Sequence, residues 1–149
     1  MTDKVIASDN PLDETGRQLL VALLDTLIPA SEDGVMPGAG ELDLVTYLID
    51  SAPEALPVIT GIVRQFDSGF ASKSLEERCA ILDEFSRSNE ALFTVLLFHT
   101  YACYYQEERV LVGIGSMAGP PYPRGNTVET GDLSLVNPVL ALNKEYRRC

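Results

Sequence analysis

The chain has one histidine, His99, in 149 residues, and that scarcity removes every metal centre built on several imidazoles. Cysteine is nearly as sparse. Cys79, Cys103 and Cys149 are an odd number with no Cys-x-x-Cys spacing, so neither a disulfide framework nor a four-thiolate zinc site follows. Basic residues are few: 11 Lys and Arg against 22 Asp and Glu leave a net charge of −11, a mean field that repels phosphate backbones and anionic lipid headgroups. Nucleic acid is therefore not an expected partner. The longest apolar runs, residues 19–24 and 91–97, fall far short of the roughly 20 residues that cross a bilayer. At the start of the chain no basic leader or pair of arginines precedes an apolar run. The expected location is the cytoplasm, with the periplasm as the alternative if the chain is exported with a partner.

Signatures of catalysis are also missing. The sequence has no G-x-G-x-x-G, no G-x-x-x-x-G-K-[ST], no G-x-S-x-G and no H-E-x-x-H. Adjacent acids such as Glu76-Glu77 and Glu107-Glu108 diverge on a helix and read as solvated faces. His99 and Cys103 are four residues apart, so on a helix they share a face and have the spacing of a dyad or a metal half-site. The plainer reading makes His99 a core residue hydrogen-bonded to a neighbour, and Cys79 and Cys103 small buried hydrophobes. Tyr101, Tyr104 and Tyr105, with Phe93 and Phe98, concentrate aromatic area on the same segment, either as a partner surface or as inter-helix filling.

What is present is ample material for a core. Apolar residues make up 46% and charged residues 22% of the chain, the balance of a soluble globular domain, and the length suits one domain over residues 1–149. Asn10-Pro11 predicts a helix start, and Leu19, Leu20, Leu23, Leu24, Leu27 and Ile28 recur at helical spacing up to Pro29. Residues 29–40, with two prolines and three glycines, form a shaped loop. Helical spacing resumes over residues 41–51 and again from Pro53 to about residue 70.

Ser74 and Glu77 make a capping box opening a fourth helix, with Leu75, Cys79, Ile81, Leu82 and Phe85 as its apolar set. Residues 90–106 form the most apolar helix, expected to be central, with Leu92, Phe93, Leu96, Leu97, Thr100 and Cys103 on one stripe. A short helix to Gly113 follows, then an extended Pro/Gly-rich loop over residues 115–137 and a last helix from Asn137-Pro138. The expected fold is all-α, a compact bundle of about five to seven helices with long Pro/Gly-rich loops and an extended C-terminal segment. Residues 1–9 are expected to be flexible.

Two stretches carry a resemblance. LLDTLIPASEDGVMPGAGELDLVTYLID, residues 23–50, ends a helix in Asp25-Thr26-Leu27-Ile28-Pro29, passes through a Gly/Pro loop and enters a helix with Val45, Tyr47 and Leu48. PPYPRG, residues 120–125, follows the aromatic helix and a short helix. In these features the chain resembles the gluconate 2-dehydrogenase subunit 3 family, small accessory subunits of glucose-methanol-choline type flavoprotein dehydrogenases. The resemblance implies a non-catalytic subunit that binds and stabilises, or helps mature, a large FAD-dependent sugar or polyol oxidoreductase. It implies FAD in the partner and none bound by this chain, and a cytochrome c or other electron acceptor beside it.

Arg124-Gly125-Asn126 departs from the family's usual glycine followed by an aromatic residue. The expected partner-binding residues are Pro29, Pro37, Pro120, Pro121, Tyr122, Pro123 and Arg124, with no catalytic, cofactor or metal residues. The rival expectations are a free-standing small enzyme using His99 and Cys103, and a helical adaptor or homodimer unrelated to flavoproteins.

Overall fold

A computed structural model describes residues 11–116 and 131–142. Among these residues the chain is all-α, as the periodicity predicts, with seven α-helices and four 3-10 turns. The described residues fall into two units, 11–116 and 131–142.

In the first unit, α1 spans Glu14–Leu27. It begins later than Asn10-Pro11 predicts, because the Asp13 side chain provides the cap, accepting the Gly16 amide at 2.8 Å. The α1 leucines Leu19, Leu20, Leu23 and Leu24 are buried, and full burial of such a side chain is worth about 1.5–3 kcal/mol. After the loop and a 3-10 turn at Ala39–Glu41, α2 runs over Leu44–Ser51, capped by Asp43. Pro53–Ala55 form a second 3-10 turn that leads into α3, Leu56–Val63. The third helix therefore stops well before residue 70. Asp67 accepts the Gly69 amide in a turn, and Phe70–Ser72 form another 3-10 turn. That turn buries Phe70 against Phe66, which also meets Phe85, with ring centroids 5.1 and 5.0 Å apart.

Helix α4, Leu75–Ser88, opens on the expected capping box: Ser74 Oγ accepts the Glu77 amide and the Glu77 carboxylate accepts the Ser74 amide. Its apolar set is only partly used. Leu82 and Phe85 are buried, whereas Leu75, Cys79 and Ile81 are exposed, so Cys79 is not a core residue. Helices α5, Glu90–Tyr104, and α6, Glu108–Gly113, complete the unit.

Helix α1 packs against α3, α4 and two of the 3-10 turns, and α5 packs against α2, α3 and α4. Thr26, Thr60 and Thr100 are buried, and each satisfies its hydroxyl by donating to the carbonyl four residues back. Helix α5 buries one side only, through Leu96, Thr100 and Tyr104. The expectation of a central helix thus fails on the other side, where Phe98, Tyr101 and Tyr105 are exposed.

In the second unit the described residues form a 3-10 turn, Leu133–Val136, that continues into α7, Asn137–Ala141. Residues 133–136, expected to lie in an extended loop reaching 137, are thus helical. No side chain in either element is buried.

Candidate functional site

The loop over residues 29–40 is braced at every turn, and the bracing follows from its residue types. Ser31 holds both ends of a short hairpin. Its amide donates to the Met36 carbonyl at 3.0 Å, and its hydroxyl accepts the Met36 amide at 2.9 Å. At the tip the Ser31 hydroxyl donates to Asp33, whose carboxylate also accepts the Val35 amide. Those two bonds hold the Asp33 carboxyl below the ordinary carboxylate range. Gly34 takes the left-handed conformation, φ 70°, that this turn requires.

The base of the loop is clamped to three helices. Asp25 of α1 accepts the Gly40 amide at 2.8 Å, and the backbone lies so close that a Cβ at Gly38 or Gly40 would stand 2.5 or 2.6 Å from its carboxylate oxygens. The Ala39 amide donates to the Ile28 carbonyl at 2.9 Å, also on the α1 side. From α5 the buried Tyr104 hydroxyl donates to the Pro37 carbonyl at 2.8 Å. From α6 the Arg109 guanidinium pairs with Glu41 at 2.9 Å. The Arg109 hydrogen bond, then the Gly38 amide, holds the Glu41 carboxyl below its ordinary value.

The outcome is a rigid loop whose tip exposes Glu32, Asp33 and Val35. Val35 is exposed, and with the half-buried Met36 it lies against Gly113, where a Cβ would meet the Met36 thioether. Val112 and Ile114 flank Gly113 in sequence and are also exposed. Val35, Val112 and Ile114 were not among the expected site residues. The Gly/Pro composition marked the loop, but nothing in the sequence links position 35 to positions 112 and 114.

The expected site residues divide sharply. Pro29 is exposed at the loop entrance. Pro37 is less than 2% exposed and its carbonyl accepts the Tyr104 hydroxyl, so it braces the loop from inside. Pro120, Pro121, Tyr122, Pro123 and Arg124 lie outside the described residues, as does Cys149.

His99 and Cys103 share α5, but each is occupied with packing. The His99 ring lies against Tyr47 and Phe98, with centroids 6.2 and 5.1 Å away, and its buried Nδ1 has no hydrogen-bond partner among the described residues. The Cys103 thiol is pushed up by burial, then by the negative charges of Asp43 and Glu107. A nucleophilic thiol needs the opposite shift. No group of three or more His, Cys, Asp or Glu side chains that could hold a metal occurs among the described residues. No helix among them is long and apolar enough to cross a membrane. Comparison with protein-family models, curated proteins and solved structures returned no match.

Proposed function

We propose that the chain is a non-catalytic small subunit that binds and stabilises, or helps mature, a larger FAD-dependent sugar or polyol oxidoreductase. The observation that carries the binding role is the braced loop, which holds the exposed Val35 against Gly113 of α6. A loop held by Asp25, Tyr104 and Arg109 loses little entropy on docking, and Val35, Val112 and Ile114 supply the apolar area. Isolated exposed valines need no explanation, but an exposed apolar side chain on a loop fixed from three helices suits recognition. The flavoprotein class of the partner rests on the resemblance in residues 23–50 and 120–125.

The test is co-expression with a glucose-methanol-choline type flavoprotein encoded beside this chain. The large subunit is expected to be soluble, flavin-loaded and co-eluting only when the chain is present. Val35→Asp with Val112→Asp should abolish co-elution while leaving the melting temperature of the isolated chain within about 2 °C, as exposed substitutions do. A large subunit that is soluble, flavin-loaded and active alone overturns the reading.

A further inference from the structure

The outward face of α5 is the largest aromatic surface that the fold leaves open among the described residues of the first unit. Phe98, Tyr101 and Tyr105 are 64%, 43% and 52% exposed, and Ala91 and Thr94 extend the same face toward the helix start at alternating steps of three and four residues. Between Glu90 and Glu107 the helix carries no carboxylate, lysine or arginine. In a chain of net charge −11, such a neutral strip is where two acidic bodies can meet with least repulsion.

Side-chain size along the strip is graded: small at Ala91 and Thr94, large at Tyr101 and Tyr105, with Phe98 midway. Ala91 lies seven residues before Phe98 and Tyr105 seven after it. An antiparallel copy of the same helix, centred on Phe98, therefore places each Tyr105 against the other copy's Ala91, and each Tyr101 near the other copy's Thr94. A twofold interface demands this kind of self-complementarity.

We infer that the exposed face of α5 is a homodimer interface, formed by antiparallel packing of α5 on the α5 of a second copy with Phe98 at the twofold axis. The three rings contribute roughly 100 Å² each, so about 600 Å² over two copies. The smaller flanking side chains bring the total toward the ~1,000 Å² lower bound of specific interfaces. The dimer is accordingly a weak one, with dissociation in the micromolar range. The inference is independent of the loop patch and of the flavoprotein reading.

The experiment is sedimentation velocity on the full chain from about 1 to 200 μM. The expected result is a reversible monomer–dimer equilibrium. Phe98→Glu, which sets two carboxylates against each other at the axis, should raise the dissociation constant at least 30-fold, and so should Phe98→Lys. An equimolar mixture of the two variants should regain dimer, because Glu then faces Lys. Tyr101→Arg is the second disrupting variant if either substitution lowers helical content.

A chain that stays monomeric throughout overturns the inference. So does a dimer that survives Phe98→Glu, or one lost only on removing residues 131–149, which places the contact in the second unit. Variants that fail to rescue each other overturn the antiparallel register. Co-elution of Phe98→Glu with the flavoprotein keeps the two proposals separable, since loss of the dimer alone leaves the accessory reading intact.

Discussion

The Tyr104 hydroxyl reaches across 67 positions of sequence to donate to the Pro37 carbonyl, 2.8 Å away and buried. This bond ties the last turn of α5 to the base of a loop that belongs to the α1–α2 connection. With Asp25 gripping the Gly40 amide from α1, it makes the loop a fixed part of the body. A rigid scaffold that presents a loop tip is a common way to position a binding surface.

Tyr104→Phe keeps the ring and leaves the Pro37 carbonyl buried without its donor. A stability loss of about 1–3 kcal/mol is expected, the cost of an unsatisfied buried acceptor. Tyr105→Phe, on an exposed ring, should stay within about 0.5 kcal/mol. Urea unfolding of the two variants measures the contrast.

Two glycines should respond to alanine with opposite signs. At Gly40 the new methyl would stand 2.6 Å from the Asp25 carboxylate, which cannot withdraw without losing the Gly40 amide. Gly40→Ala is expected to cost about 1–3 kcal/mol through overpacking. Gly61 lies within α3, and a methyl added there would have nothing within 4 Å. Gly61→Ala should stabilise by about 0.5–1 kcal/mol by reducing the freedom of the unfolded chain. Thermal melts distinguish the signs.

The Glu41–Arg109 link predicts an acid limit for the loop clamp. The Glu41 carboxyl is lowered in the folded state from an ordinary value of 4.5. Its stabilising contribution is therefore fully present above pH 4.5 and is lost as the pH falls below that, through the depressed folded value. Glu41→Gln should flatten the acid side of a melting-temperature profile between about pH 5 and 3, with little change at pH 7 beyond the loss of the pair. An acid side as steep as in the unchanged chain would remove Glu41 from the account.

Thiol chemistry should separate the two cysteines of the first unit. Cys79 is exposed on α4, while Cys103 is half-buried and its thiol is pushed up by burial. In a Cys149→Ser background, iodoacetamide at about pH 8 should modify Cys79 at least tenfold faster, read by mass spectrometry of the native protein. Equal rates would contradict the burial assigned to Cys103.

Local signals were legible where the physics is local. Ser74 and Glu77 announce their capping box because the two side chains need only each other's backbone amides. The leucine spacing of α1 reports the face it buries, whereas apolar spacing alone carries the third helical stretch too far, to about residue 70, because it overlooks the turn in which Asp67 accepts the Gly69 amide. Residues 29–40 declare themselves a loop through proline and glycine. Cys79 and Ile81 were misplaced because apolar spacing names a candidate face without saying how far the neighbouring helices extend over it.

The sequence by itself determined that the chain is helical, where most helices lie, and that its charge disfavours nucleic acid, because capping, turn chemistry and periodicity act over a few residues. Only the tertiary structure decided what surrounds α5. That helix is apolar on every side, so its composition cannot choose between core and surface. The choice fell to α2, α3 and α4, which cover one side and leave Phe98, Tyr101 and Tyr105 in the open. Tertiary structure also turned Pro37 inward and brought Val35 to α6, since contacts between residues so far apart in sequence depend on how the helices pack.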